Sequence, residues 1–143
     1  MKYYKLGVVL LLLLYSCSAK SPEAINYGSD ECVHCKMTIM DNKFGAVMLN
    51  KNGKSFKFDS AECMIDYSNE KPEHSDSYFV TDFSKAGSYI SAREAVFLHG
   101  ENVKSPMGGN IAAFSSKDDA AKMQQELKGD LLTWEEVKVL RKK

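Results

Sequence analysis

Three short segments of the chain combine sulfur-containing side chains at spacings that suit a metal ion. The first, Cys32-Val33-His34-Cys35-Lys36-Met37, places two thiols, an imidazole and a thioether within six residues. Thiolates together with a thioether favour monovalent copper, whereas two cysteines with a histidine suit zinc equally well. A Cys-x-x-Cys pair also forms structural or redox disulfides, so this segment alone leaves copper, zinc and a disulfide open.

The second segment, Cys63-Met64, falls in the first turn of a predicted helix that Asp59 begins. The helix N-terminus is expected to lower the pKa of the Cys63 thiol and favour the metal-binding thiolate, while the Asp59 carboxylate opposes this effect. Cysteine and methionine are also common core residues. Taken alone, Cys63-Met64 fits a core position better than a ligand role.

The third segment, Ser105-Pro106-Met107-Gly108-Gly109, predicts a tight turn with a methionine at its apex. An exposed thioether contributes little to the stability of the fold and is readily oxidised. A ligand role for Met107 is therefore as plausible as packing over a core edge. The sequence contains no nucleophile elbow, phosphate-binding loop or zinc-protease helix. Catalysis is therefore not predicted.

The elements that position the first two segments form a strand-strand-helix unit. Apolar residues over 44–50 and alternating residues over 56–58 flank an Asn-Gly turn, which predicts a hairpin. Asp59 lies three residues before Glu62, and this spacing predicts a capping box that begins a helix over 61–69.

A similar order recurs later in the chain. Residues 95–98 and 111–114 repeat the hairpin, and a helix is predicted to begin at Ser116 and to end by Gly129. The sequence therefore predicts a duplicated α+β architecture of two related strand-strand-helix units. Further strands are predicted at 78–81, 89–90 and 131–139, and the two subunits at about 30–73 and 74–143.

The N-terminus has the features of a lipoprotein signal. Lys2 and Lys5 precede an apolar stretch over 6–14, which is too short to span a bilayer. The following Leu14-Tyr15-Ser16-Cys17 resembles the bacterial lipobox, in which the cysteine is acylated and becomes the new N-terminus. We therefore expect Cys17 to anchor the chain to a membrane through lipid.

This interpretation divides the chain into a signal peptide at 1–16, a lipidated N-terminus and polar tether at 17–29, and one folded domain at 30–143. Three cysteines then remain, an odd number that cannot pair completely within one chain. The chain has 19 basic and 19 acidic residues, and cleavage removes two basic ones, leaving a net charge of −2. This balance argues against a nucleic-acid partner.

Five segments follow one another in a recognisable order: Cys32-x-x-Cys35-Lys36-Met37, Phe58-Asp59 leading to Cys63-Met64, Thr81-Asp82-Phe83, Ser105-Pro106-Met107-Gly108 and Ala112-Ala113-Phe114. This order resembles the NosL family of copper-binding lipoproteins, with a likeness that runs from about Cys32 to Val137. One departure is Lys36, where the family usually has glycine, so the local turn is expected to differ.

The resemblance implies a Cu(I) carrier, without catalytic activity of its own, that supplies nitrous oxide reductase beside a membrane ABC-type transporter. It also implies two α+β units similar to a domain of organomercurial lyase. Export and lipidation place the protein on a bacterial membrane facing the periplasm, and Ser18 after the lipidated cysteine favours the outer membrane. The resemblance implies a set of metal ligands drawn from Met107, Cys63, Met37, Cys35 and Cys32. Met64 and His34 are further candidates beside them.

Two other functions fit the same residues. In the first, Cys32, Cys35, His34 and Cys63 close a tetrahedral site for a structural zinc ion that folding requires. In the second, Cys32 and Cys35 catalyse thiol-disulfide exchange, although no parallel βαβ pattern flanks the motif.

Overall fold

The computed structural model describes residues 20–142, so the predicted signal peptide and Cys17 lie outside the described part of the chain. Within that part, no helix is long and apolar enough to cross a membrane. The elements are β1 (Ala46–Leu49), β2 (Ser55–Phe58), α1 (Ala61–Glu70), a 3-10 turn (Pro72–His74), β3 (Ser77–Thr81), β4 (Tyr89–Ser91), β5 (Val96–His99), β6 (Ile111–Phe114), α2 (Lys117–Leu127), β7 (Asp130–Leu132) and α3 (Trp134–Leu140).

These strands form two small antiparallel sheets. The first has the order β2-β1-β3-β4 and the second the order β6-β5-β7. The hairpin β1-β2 leads into α1, and the hairpin β5-β6 leads into α2, which confirms the predicted α+β fold with two related units. Strands β3 and β4 join the first sheet, and the subunit boundary near residue 73 stays a prediction.

The two sheets share a main core, into which the cysteine segments are packed. Cys32, Cys63 and Met64 belong to the same buried cluster as Phe58 of the first sheet and Phe97 of the second. A smaller cluster lies between the second sheet and α2. Because the cysteines lie in the main core, their positions are fixed by both sheets rather than by a surface loop alone.

The N-cap of α1 differs from the sequence prediction. Ser60, not Asp59, occupies the cap position, and its Oγ accepts a hydrogen bond from the Cys63 amide at 3.3 Å. Serine in an extended conformation is a favoured N-cap, and here it satisfies one of the free amides of the first turn. The Asp59 carboxylate therefore does not cap α1, and its oxygens are available to other side chains.

The predicted strand over 131–139 is also wrong for all residues after Leu132. Strand β7 ends at Leu132, and α3 begins after Thr133. The Thr133 hydroxyl accepts from the Glu136 amide at 3.4 Å, while the Glu136 carboxylate accepts from the Thr133 amide at 2.7 Å. This capping box ends the strand and starts the helix, and its Thr-x-x-Glu spacing is visible in the sequence.

Candidate metal centre

Cys32 and Cys35 lie in a closed turn between residues 31 and 38, whose ends form an isolated antiparallel bridge. The Cys32 amide donates to the Met37 carbonyl at 2.8 Å, and the Lys36 amide donates to the Cys32 carbonyl at 3.0 Å. Lys36 has a φ of 65°. Lys36 therefore has the left-handed conformation that glycine adopts freely and that lysine adopts only at some steric cost.

This turn is fixed to the edge strand β2. The Val33 amide donates to the Lys57 carbonyl at 2.9 Å, and the Lys57 ammonium pairs with the Asp30 carboxylate at 2.7 Å. The hydrogen bond from the Lys57 ammonium lowers the pKa of Asp30, which favours the ionised carboxylate. Backbone and side-chain contacts together hold the two cysteines against the strand that leads to α1.

The junction between β2 and α1 supplies the remaining groups of the site. Asp59 follows the last residue of β2, and Cys63 is in the first turn of α1. Cys32, Cys35, Asp59 and Cys63 each offer one ligand atom, and these four atoms all lie within 4.8 Å of one another. The Cys35 thiol also donates to the Asp59 carboxylate at 3.5 Å.

This thiol cluster, defined as Cys32, Cys35, Asp59 and Cys63, is largely shielded from water. Cys32 is fully buried, Cys63 and Asp59 are buried, and Cys35 is partly exposed. None of the three cysteines in the described part of the chain is in a disulfide. The second oxygen of Asp59 is buried without a hydrogen-bond partner, so the cluster has an acceptor free to bind a cation.

The three thiols differ in acidity. A hydrogen bond from the Cys63 thiol, helped by backbone amides and opposed by burial, lowers the pKa of Cys32 to about 6. Burial raises the pKa of Cys35 to about 11. Cys63 also has a raised pKa, because its proton is shared with Cys32 and because it is buried near Asp59. The prediction that the helix N-terminus lowers the pKa of Cys63 is therefore wrong, because Cys32, burial and Asp59 have the larger effect.

A cation lies near the cluster. Arg141 donates to Asp66 at 3.1 Å, and this bond together with the charges of Asp66, Glu62 and Cys63 raises the pKa of the guanidinium. Its fixed positive charge offsets part of the negative charge that thiolates and carboxylates would place in this region.

His34 lies in the cysteine turn but outside the thiol cluster. Its Nδ1 is 3.8 Å from a Glu70 carboxylate oxygen, and it lines a surface cavity together with Arg141. The predicted zinc site combined His34 with the three thiols. In the structure, Asp59 rather than His34 lies beside them.

The three predicted methionine ligands have different surroundings. Met64 is fully buried and packs in the main core. Met37 is 55% exposed directly after the cysteine turn, and Met107 is 43% exposed at the apex of its own turn. Two thioethers are thus accessible from solvent, whereas the thiols are recessed.

Comparison with known proteins identifies the family and agrees with the fold. The family model of NosL matches residues 24–140. The chain belongs to the NosL family. The crystal structure of the copper chaperone NosL from Shewanella denitrificans aligns with a TM-score of 0.70 at 27% identity, covering 82% of this chain and 96% of that chain. Curated proteins gave no match.

Within this NosL-family fold, sequence reasoning identified the three cysteines of the cluster and missed Asp59 as a possible ligand. Asp59 was assigned to the helix cap, although it also stands in the Phe58-Asp59 segment that resembles the family. The signal available in the sequence was the Ser60 that follows it, because a serine at that position provides an alternative N-cap.

Proposed function

We propose that this NosL-family chain carries Cu(I), held by the thiolates of Cys32, Cys35 and Cys63. The observation that carries the proposal is the convergence of three unpaired thiols within 4.8 Å, on two elements that the main core fixes. Three soft ligands at this separation suit trigonal monovalent copper. The copper chaperone from Shewanella denitrificans, which has the same fold, supports this choice of metal.

Asp59 makes zinc the second candidate. Its carboxylate completes a set of three sulfurs and one oxygen, which a tetrahedral zinc ion accepts. Copper is favoured because Met37 and Met107 add thioethers at the surface, and thioethers are poor ligands for zinc.

Thiol-disulfide exchange fits the geometry less well. An exchange catalyst attacks through an accessible thiol with a lowered pKa. Here Cys32 has the lowered pKa but is fully buried, whereas the more exposed Cys35 has a raised pKa. The acidity and the accessibility therefore fall on different cysteines.

The proposed mechanism is stepwise ligand exchange. Copper resides on the recessed thiolates and moves outward by forming bonds to an exposed thioether of Met37 or Met107 before the last thiolate is released. A partner's ligand then replaces the thioether, so that copper is never free in solution. Met64 is proposed to support the core beside Cys63 rather than to bind during transfer.

We further propose that the carrier is anchored by lipid on Cys17, on the periplasmic side of the outer membrane, and that it supplies nitrous oxide reductase beside an ABC-type transporter. The lipobox and the family resemblance support this assignment. Loss of lipid labelling in Cys17→Ala tests the anchor. Nitrous oxide reductase purified from cells that lack the chain should contain less copper; a full copper content would exclude this client.

Titration of the purified, reduced protein tests the choice of metal. We expect one Cu(I) per chain to be retained against a competing Cu(I) chelator, and the melting temperature to change little when the metal is removed. Zinc should bind more weakly than copper. Zinc that co-purifies with the protein, and whose removal unfolds it, would instead establish the structural zinc site.

A further inference from the structure

Glu62 is a buried carboxylate that the proposed transfer of copper does not use. It lies in the first turn of α1 next to Cys63 and is only 1% exposed. The Ser105 hydroxyl donates a hydrogen bond to one of its oxygens. The other oxygen is buried without a hydrogen-bond partner.

The loop that carries Met107 rests directly on this side chain. The Asn110 amide donates to the Ser105 hydroxyl at 2.9 Å, so the hydroxyl connects the loop backbone to the Glu62 carboxylate. A Cβ on Gly109 would lie 2.2 Å from the Glu62 Cγ, so the loop approaches closely only because this residue is glycine. The loop over 105–110 is therefore held against α1 at Glu62.

Stability alone does not account for a glutamate at this position. A buried carboxylate with an unpartnered oxygen is costly, and an apolar residue of similar volume is often neutral or stabilising in its place. The buried acid does provide a directional bond between the helix that bears Cys63 and the loop that bears Met107. A hydrogen bond specifies position in a way that apolar packing does not.

We infer that Glu62 is a positioning residue: through Ser105 it fastens the loop over 105–110 to α1 and so fixes Met107 relative to Cys63. The inferred effect on copper rests on the proposed function, whereas the ordering of the loop does not. Glu62 acts through the loop and needs no contact with the metal.

The ordering of Met107 is tested in the metal-free, full-length protein with 13C-methyl methionine and NMR relaxation. We expect Glu62→Ala and Ser105→Ala to lower the order parameter of the Met107 methyl, since each removes the bond to the loop. Glu62→Gln should preserve it, because the amide oxygen accepts from Ser105 without charge. Met40, which is 69% exposed and outside the loop, is the internal control.

The effect on copper is tested with a double-mutant cycle of Glu62→Ala and Met107→Leu. Because Met107 binds copper only during transfer, each single variant should slow the release of Cu(I) from the loaded protein to a competing chelator by about 10- to 100-fold, the range found for residues that orient metal ligands. The double variant should release Cu(I) no more slowly than Met107→Leu alone, because positioning the loop has no effect on transfer once the thioether is removed.

Two results would overturn the inference: an unchanged Met107 order parameter in Ser105→Ala and Glu62→Ala, or decreases in the rate of Cu(I) release that combine independently in the double variant. If Glu62→Ala does not fold, Ser105→Ala takes its place in both measurements. If the wild-type chain takes up no Cu(I), the proposed function fails, while the NMR comparison still decides whether Glu62 orders the loop.

Discussion

Cys63→Ser and Cys32→Ser should each lower the Cu(I) affinity by about two orders of magnitude or more. This exceeds the 10- to 100-fold typical of residues that only orient ligands, because each change removes a ligand itself. Serine is only slightly smaller than cysteine. Its hydroxyl is a hard ligand and far less acidic than a thiol, so it does not replace a thiolate on monovalent copper. The affinity is measured by competition with a chromogenic Cu(I) chelator under reducing conditions.

Met64→Leu is the matched control for these variants. Met64 adjoins Cys63 in α1 and is fully buried, and exchange of methionine for leucine conserves volume at a cost below about 1.5 kcal/mol. Its Cu(I) affinity should equal that of the wild type. Denaturant unfolding of the metal-free proteins verifies that all variants fold. A large loss in Met64→Leu together with little loss in Cys63→Ser would refute the three-thiol site.

The second large effect is a steep rise of Cu(I) affinity with pH. At neutral pH Cys32 is mostly ionised, with a pKa of about 6, while Cys35, at about 11, and Cys63, which is also raised, hold their protons. Copper competes with those two protons, so the affinity must fall as the pH falls. Between about pH 7 and 9 we expect the affinity to rise by about 100-fold per pH unit, or tenfold for each proton released.

Below a pH of about 6, Cys32 also takes up a proton, and the dependence should steepen further. The competition experiment is repeated across this range, with the protonation of the chelator taken into account. Cys35→Ser is the matched variant, because it removes one of the two protons and should reduce the slope to about tenfold per unit. An affinity independent of pH would show that thioethers, which have no proton to lose, hold the copper instead.

The architecture was largely predictable from local pattern. The Asn-Gly turn with its alternating flanks predicted β1 and β2, and the spacing from Ser116 to Gly129 predicted α2, because hairpins and helix ends depend on residues close in sequence. The prediction failed after Leu132. The apolar residues over 131–139 also fit a strand, but Thr133 and Glu136 form the cap of α3. Two capping hydrogen bonds decided against the strand.

The candidate ligand set was less predictable. The sequence identified Cys32, Cys35 and Cys63 as chemically notable but left their partners open. Asp59 joins them because Ser60 takes the cap, a choice between neighbouring residues that depends on backbone angles. Which thiol ionises depends on hydrogen bonds across the turn and the helix, and such bonds form only after folding.

The sequence by itself determined the types of ligand available, the odd number of cysteines after Cys17 and the order of the two units, because composition and local spacing are properties of the chain. Tertiary structure alone decided that the 31–38 turn meets the start of α1, that Met64 turns into the core, and that Glu62 receives the loop of Met107. These contacts join residues distant in sequence, and their geometry is fixed by close packing of the shared core rather than by local preference.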